Sequence, residues 1–340
     1  MSARKPIEYR TAESVSPNHP DKICDRISDA LLDAHLREDP LARVAIDVAG
    51  GHGTVFVTGE VTSHATHVDV PAVVRQIAGD VEVIEHIAAQ SPEIAAGVDT
   101  GGAGDQGIMI GYACNETPEL LPLEVVLSRN LNRYLFGDMN DSVAEERHWP
   151  HDGKTQVTLK NGHIHSVVAS FQHASKVALT SQVHSWLRNE PLLIGHEAVH
   201  DVQLFINPAG DWDLGGFDAD AGLTGRKLAV DNYGPRIPVG GGAFSGKDPS
   251  KVDRSAAYMA RKIAVDYLKK RHAKEVYVRL AYAIGVADPV EATVIIDNQP
   301  EEVVGYGLTP AGIISYLDLR RPIYEQTARY GHFGHGYDWE

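Results

Sequence analysis

This chain is constrained most by the stretch from Gly240 to Asp253, which places four glycines, two lysines and two aspartates in fourteen positions. Such a run predicts a loop, and because glycine has no Cβ, its backbone N–H groups can close around a polyanion. Lys247 and Lys251 supply positive charges for phosphate oxygens. Asp248 and Asp253 offer oxygen ligands for a hard cation such as Mg²⁺. The stretch therefore predicts a site for phosphate chemistry.

A P-loop explains this stretch only in part. Gly241 to Lys247 fits G-x-x-x-x-G-K, but Asp248 stands where a Mg²⁺-binding Ser or Thr would follow. Residues 233–238 before it are turn-like, whereas a P-loop follows a hydrophobic strand. A P-loop NTPase and a plain surface loop with solvated charges stay open as alternatives.

Length, charge and composition exclude several classes of protein. With 340 residues the chain can form two or three domains, and its net charge of −15 disfavours nonspecific nucleic-acid binding. No apolar run approaches the ~20 residues of a membrane span, and residues 1–6 lack the core of a signal peptide. Cys24 and Cys114 are too few for a disulfide framework. We therefore expect a cytoplasmic protein with neither membrane nor nucleic-acid partners.

Patterns of helix and strand alternate along the chain. Apolar residues at helical spacing predict a helix from Pro20 to about Leu36. Alternation beginning at Val44 and at Val55 predicts a hairpin, and Asn161-Gly162 predicts a type I′ turn in a second one. Further helices are expected over 181–188, 255–270 and 309–319, and strands over 202–206, 276–283 and 292–296. Hairpins mixed with helices predict an α+β fold.

Four other stretches carry candidate site residues, although each can also be an ordinary helix cap, turn or polar loop. His19-Pro20-Asp21 opens the first helix, where N–H groups and the macrodipole attract anions, although an ordinary N-cap is the alternative. The others are Gly101–Gly107 around Asp105, Asp152-Gly153-Lys154, and Asp220 to Lys227. H-E-x-x-H at 196–200 is interpreted as a chance match, because the adjacent proline and glycine leave little room for the helix that motif needs.

These stretches, in this order, resemble the methionine adenosyltransferase family, also called S-adenosylmethionine synthetases. The strongest matches are His19–Lys22, Gly102–Gly107 and Gly240–Ser255; shorter ones lie at 205–208, 222–227, 282–286 and 330–334. The resemblance runs from about Thr11 to Trp339. Several long motifs in one order are far more specific than a lone glycine loop.

The resemblance implies that ATP and L-methionine are joined. The methionine sulfur attacks C5′ of the ribose and expels triphosphate, which is then cleaved to pyrophosphate and phosphate. A thioether needs no general base, so the difficulty lies in the charge gained by the leaving group. A P-loop-like NTPase, and an inactive homologue that binds ATP without turnover, are the alternatives.

The same matching implies roles for individual residues. Those implied in catalysis are His19, Lys154, Arg226 and Lys247. Those implied in substrate binding are Glu60, Asp105, Asp152, Trp212, Asp220, Lys227, Lys251 and Ile284. Two Mg²⁺ ions would be held through Asp21 and Asp253. Asp47 stands where members commonly have a glutamate associated with K⁺, which makes K⁺ a second implied ion.

For the fold, the resemblance implies three similar α/β domains around a pseudo-threefold axis, interleaved in sequence. The implied limits are 1–17 with 116–215, 18–95 with 216–254, and 96–115 with 255–340. It also implies a homodimer with active sites at the interface, which can pair further into a tetramer. Two departures bear on methionine: Ala96 replaces a glutamine, and Asp99 to Gly102 is shorter than the usual active-site lid.

Overall fold

The computed structural model describes residues 7–90, 101–138, 148–194 and 201–340. Ala96, Asp99 and the H-E-x-x-H match lie outside these residues. Within them, the helices are α1 Pro20–Glu38, α2 Val70–Ala78, α3 Leu123–Phe136, α4 Lys176–Asn189, α5 Leu228–Asp231, α6 Val252–Arg271 and α7 Pro310–Tyr316. None of the described helices is both long and apolar enough to cross a membrane.

The strands form three four-stranded sheets. The first sheet, in the order β1-β6-β7-β8, contains Tyr9–Val15, Gly153–Lys160, His163–Phe171 and Gln203–Ile206. The central sheet, β4-β3-β2-β9, contains Glu82–Ala88, Thr54–Thr62, Arg43–Gly51 and Gly222–Leu223. The last sheet, β12-β11-β10-β5, contains Gln299–Glu302, Glu291–Ile296, Glu275–Tyr282 and Gly107–Cys114.

Each sheet packs against helices: α3 covers the first sheet, α1 the central sheet and α6 the last sheet. One large core joins α1 and α6 with the central and last sheets, and a second core lies between the first sheet, α3 and α4. Most strand pairs are antiparallel, but β3–β4 and β7–β8 are parallel. The predicted α+β class is confirmed, while the interleaved domain limits stay a prediction.

Local sequence explains several of these elements. Helix α1 begins at Pro20, and its N-cap His19 accepts a hydrogen bond from the Asp21 N–H. The predicted type I′ turn is confirmed, because Asn161 and Gly162 have φ values of 52° and 82°. Strands β1, β4, β5, β9 and β12 and helices α2, α3 and α5 were not predicted from the sequence.

The glycine loop docks along the edge of β2. The Ile46 N–H donates to the Gly246 oxygen at 3.0 Å, and the Asp248 N–H donates to the Val44 oxygen at 2.9 Å. A Cβ on Gly246 would lie 1.9 Å from the Ile46 oxygen, and one on Gly240 would lie 1.7 Å from the Ile108 oxygen. These two glycines are therefore required by close backbone packing, whether or not a ligand is present.

Candidate active site

His19 is a buried, neutral histidine at the N-terminus of α1. Its Nδ1 accepts the Asp21 N–H at 3.2 Å, so the ring proton is assigned to Nε2. Burial and the positive charges of Lys227 and Lys154 lower the pKa of His19 to about 3. The imidazole can therefore donate a hydrogen bond through Nε2–H at neutral pH without carrying a charge.

Asp21 lies beside His19 and is fully buried. Its Oδ1 accepts the Leu223 N–H and pairs with Arg226 Nε, both at 3.0 Å, and its Oδ2 pairs with Lys227. Burial opposes ionisation, but the hydrogen bond and charge of Lys227 outweigh it and hold the pKa of Asp21 below its usual value. Two cations are thus gathered at the helix N-terminus around one carboxylate.

Asp152 and Trp212 lie on either side of a glycine turn next to this group. Asp152 Oδ2 accepts the Gly216 N–H at 3.1 Å, while its buried Oδ1 has no hydrogen-bond partner among the described residues. Burial raises the pKa of Asp152, opposed by the Gly216 hydrogen bond and the Lys154 charge. The half-buried Trp212 ring lies against Gly215, with Cζ3 2.7 Å from the position that a Cβ would occupy there. Asp152 therefore offers an unused acceptor near an aromatic face.

Lys247 and Asp253 form a second group of predicted residues. Lys247 Nζ lies 2.7 Å from Asp253 Oδ2, and both side chains are partly exposed. Asp47 lies within reach of the Lys247 charge; burial raises its pKa and Lys247 opposes that rise. Lys251 pairs with Asp248.

Asp248 is not available as a cation ligand, which corrects one reading of the glycine stretch. It is 2% exposed, and its oxygens accept the Val44 N–H at 2.7 Å and the Ser250 N–H at 2.8 Å in addition to pairing with Lys251. Its carboxylate therefore fastens the loop to β2. Asp253 remains as the candidate ligand of this stretch.

The residues implied around methionine are exposed. Glu60 lies opposite Ala45 in the β2–β3 pair, and Ala45 bridges to Lys247. Among the described residues, the Asp105 side chain accepts the Gln106 N–H and no other hydrogen bond, and the Asp220 side chain accepts that of Ala221 alone. Ile284 is 57% exposed and bridges to Ala103.

The predicted residues thus fall into two clusters. The His19 cluster consists of His19, Asp21, Asp152, Lys154, Trp212, Asp220, Arg226 and Lys227. The glycine-loop cluster consists of Asp47, Glu60, Asp105, Lys247, Lys251, Asp253 and Ile284. In the described parts of the chain, no side-chain hydrogen bond or ion pair joins one cluster to the other.

Each cluster contains one carboxylate that could bind a Mg²⁺ ion whose other ligands come mainly from the substrate phosphates. The described residues contain no group of three or more His, Cys, Asp or Glu that could hold a metal ion. Mg²⁺ is commonly held by only one or two carboxylates together with substrate phosphates. Asp21 and Asp253, each already paired with a lysine, match that mode of binding.

Sequence reasoning missed the buried charges behind both clusters. Lys22 lies between Asp25 and Asp231, at 3.0 and 2.6 Å, and Asp29 pairs with Arg254 at 2.7 Å. The signal available in the sequence was an aspartate at every fourth position of α1.

Comparisons with known proteins match this chain along nearly its whole length. Three family models match in order: the S-adenosylmethionine synthetase N-terminal domain over 8–98, central domain over 100–212 and C-terminal domain over 214–340. An S-adenosylmethionine synthase of Treponema denticola is 44% identical over 377 aligned positions, covering 98% of this chain and 96% of the relative. One of Desulforudis audaxviator is 43% identical, covering 96% and 93%.

Proposed function

The chain belongs to the S-adenosylmethionine synthetase family, and from that premise we propose how its residues make S-adenosyl-L-methionine. The protein is a methionine adenosyltransferase: the methionine sulfur attacks ribose C5′ of ATP, and the departing triphosphate is cleaved to pyrophosphate and phosphate. The glycine loop also differs from a P-loop, because the described residues 232–240 before it form no strand. The NTPase alternative therefore has no structural support in this segment.

The observation that carries the proposal is the pairing of cations with single carboxylates in both clusters. Sulfur attack needs no base, so catalysis depends on stabilising the charge that develops on the triphosphate. Lys227 and Lys247 are held near Asp21 and Asp253 and can turn to phosphate oxygens. His19 Nε2–H would donate to the departing oxygen, with Lys154 and Arg226 adding charge and Lys251 contributing from the start of α6.

Mg²⁺, when bound, supplies positive charge to the phosphate oxygens. We propose that Asp21 and Asp253 hold the two ions, which frees their lysines for the phosphates. Asp47 is proposed as the K⁺-associated residue, because the resemblance places it where family members have the glutamate associated with that ion.

The remaining residues are assigned to the ribose and adenine of ATP and to methionine. Asp152 Oδ1, which is buried and has no hydrogen-bond partner in the described parts of the chain, would accept a ribose hydroxyl, and Trp212 would stack on adenine. Glu60, Asp105 and Asp220 would lie around methionine, where a carboxylate can pair with the ammonium group. Ile284 would contact the nucleotide or methionine through its exposed side chain.

An apolar row on the outer face of the central sheet supports a homodimer. Strand pairing aligns Leu223, Ala49, Phe56 and Ile84 across the sheet, and the three larger side chains are 41–50% exposed. A continuous exposed apolar surface of this kind is typical of an interface. By strand alternation, Asp47, Thr58 and Glu60 lie on or beside this face. We propose that a second copy covers it, so that each site joins the His19 cluster of one subunit to the glycine-loop cluster of its partner.

Two further assignments are proposed. Dimers can pair into a tetramer through other surfaces. A cytoplasmic location agrees with the two buried, free cysteines, Cys24 and Cys114.

The activity is tested by incubating the protein with ATP, with and without methionine, and following sulfonium product and phosphate. We expect sulfonium and phosphate only when methionine is present. Phosphate release without methionine would favour the NTPase, and ATP binding without either product would favour the inactive homologue.

The shared site is tested by mixing inactive variants. His19→Ala and Lys247→Ala should each be inactive, but after subunit exchange an equal mixture should recover activity in about a quarter of the sites. The matched control mixes His19→Ala with Lys154→Ala, both in the His19 cluster, and should recover none. Failure of the first mixture, with exchange verified, would place both clusters in one subunit's site.

A further inference from the structure

Helix α1 presents four aspartates at every fourth position, Asp21, Asp25, Asp29 and Asp33, so that they share one face. Each carboxylate accepts a backbone N–H from one of three distant segments of the chain. The donors are Leu223 to Asp21 at 3.0 Å, Gly225 to Asp25 at 2.8 Å, Gly246 to Asp29 at 2.9 Å, and Tyr324 and Glu325 to Asp33 at 3.0 Å. The segments around Leu223–Gly225 and around Gly246 carry cations of the proposed site, and the Tyr324–Glu325 segment carries none.

Asp29 is joined to Arg254 by a buried, bidentate ion pair. Arg254 Nη1 and Nη2 lie 2.7 and 2.8 Å from the two Asp29 oxygens, and both side chains are 0% exposed. The remaining guanidinium donors reach the Lys247 oxygen at 3.0 Å, the Tyr258 hydroxyl at 3.1 Å and Thr327 Oγ1 at 3.5 Å. All five Arg254 donors therefore have partners.

This ion pair forms hydrogen bonds to two successive backbone residues of the glycine loop. Asp29 accepts the N–H of Gly246, while Arg254 donates to the oxygen of Lys247. Arg254 also follows Asp253 directly in α6, so the contacts that hold Arg254 in place also hold the backbone of Asp253. A buried ion pair is weak evidence for stability, since apolar residues of similar size often serve as well. The contacts to the loop give this pair a role that apolar residues could not fill.

We infer that Asp29 and Arg254 are positioning residues, which hold Lys247 and Asp253 in the geometry needed to bind the triphosphate. This inference rests on the proposed function. Neither residue touches substrate: Lys247 and Asp253 face the polar, partly exposed side of the loop, and the pair lies behind them.

The test replaces the pair with Asp29→Asn and Arg254→Met together, which removes both charges and leaves no buried charge unpaired. The measurements are thermal unfolding, kcat and KM for sulfonium formation, and the affinity for inorganic tripolyphosphate. We expect a folded protein with kcat lowered about 100-fold, because small displacements of catalytic groups carry such losses. KM for methionine should change little, and tripolyphosphate should bind more weakly.

Asp33→Asn is the matched control, since Asp33 is a buried carboxylate on the same helix face that fastens the Tyr324–Glu325 segment instead. It should lower stability and leave kcat and tripolyphosphate affinity near those of the wild type. Arg254→Lys is a second probe, which keeps the buried charge but lacks the planar fork needed for both Asp29 and the Lys247 oxygen. It should therefore lower kcat as well.

Two outcomes would overturn the inference. One is wild-type kcat and tripolyphosphate affinity in the folded double variant, or in Arg254→Lys should the double variant not fold. The other is an equal loss of kcat in Asp33→Asn, which would show a general effect of α1 on stability. A wild-type protein that forms no sulfonium would contradict the proposed function instead, and the tripolyphosphate comparison would still test the positioning role.

Discussion

The His19 cluster and the glycine-loop cluster carry similar residues in opposite surroundings. In the first, Asp21 is fully buried, forms an ion pair with Arg226, and accepts hydrogen bonds from Lys227 and a backbone N–H. In the second, the Lys247 side chain is 27% exposed and has Asp253 as its ion-pair partner. The first cluster is therefore largely preorganised within one chain, whereas the second lies open beside the apolar outer face of the central sheet. Exposure of half of a charged site argues that another surface completes it.

The largest effects should come from the lysines and from Asp253. Lys247→Ala, Asp253→Asn and Lys227→Ala should each slow sulfonium formation by about 10²–10³-fold, since each removes roughly 3–4 kcal/mol of charge stabilisation. Steady-state assays measure this directly. Near-normal turnover in any of them would remove that residue from the site.

The free energy of unfolding should differ between the variants of the two clusters. Lys227→Ala leaves the buried Asp21 short of a partner and should lower the free energy of unfolding by about 1–3 kcal/mol. Lys247→Ala disturbs a partly exposed pair and should cost less than about 1 kcal/mol. Equal losses in urea unfolding would contradict the contrast between the clusters.

The next effect concerns the open face beside the glycine-loop cluster. Phe56→Asp places a charge in the apolar row, and we expect the dimer to weaken by about 2–4 kcal/mol, as for a central interface residue. Sedimentation at several concentrations, together with activity, measures the change. Val177→Asp, at an 82% exposed position on α4, is the control and should alter neither. Unchanged mass for Phe56→Asp would mean that this face is free in solution.

Local chemistry made part of the fold predictable. The second hairpin follows from Asn161-Gly162, and α1 follows from Pro20 and its apolar spacing, observed as Pro20–Glu38. Helix α3 was missed because its N-cap is Pro122, which makes no side-chain capping bond, so the usual start signal is lacking. Strand β5 was missed because it starts at Gly107, the last residue of a glycine run taken for a loop.

The surroundings of the candidate residues could not be predicted in this way. Asp248 is engaged by the N–H of Val44, 204 residues earlier, and Asp29 by that of Gly246, 217 residues later. The pKa of His19 likewise depends on Lys154 and Lys227, which reach it through folding. Residue spacing along the chain does not reveal such partners. The motifs therefore identified the candidate residues but could not predict their hydrogen bonds or pKa shifts.

A smaller effect is expected at the edge of the His19 cluster. Trp212→Ala should weaken ATP binding by about 1–3 kcal/mol if the indole stacks on adenine. Trp212→Phe should change little, because a flat apolar face is kept. Calorimetry with ATP measures both. If the alanine variant unfolds while its folded fraction binds ATP normally, Trp212 serves packing alone.

Because His19 is buried in its neutral form, the free energy of unfolding of the wild type should fall as the pH is lowered. The pKa of His19 is about 3 in the folded protein and about 6.5 when unfolded, so below pH 6.5 only the unfolded state gains the proton. Stability present above pH 6.5 is therefore lost on acidification. Between pH 5.5 and 4.5, the wild type should lose about 1.4 kcal/mol more than His19→Asn. Parallel losses in urea unfolding would show that His19 is protonated in the folded state.

The smallest effect is expected at the proposed methionine end, where Glu60 and Asp105 are exposed. The resemblance implies that Ala96 replaces a larger glutamine and that Asp99 to Gly102 is shorter than the family's active-site lid. One methylene is worth about 1–3 kcal/mol of discrimination in a closed apolar pocket, and an open one should discriminate less. We therefore expect kcat/KM for ethionine to lie close to that for methionine, unlike in a family member with the full lid. Equal strictness in both enzymes would mean that the lid length does not set substrate size.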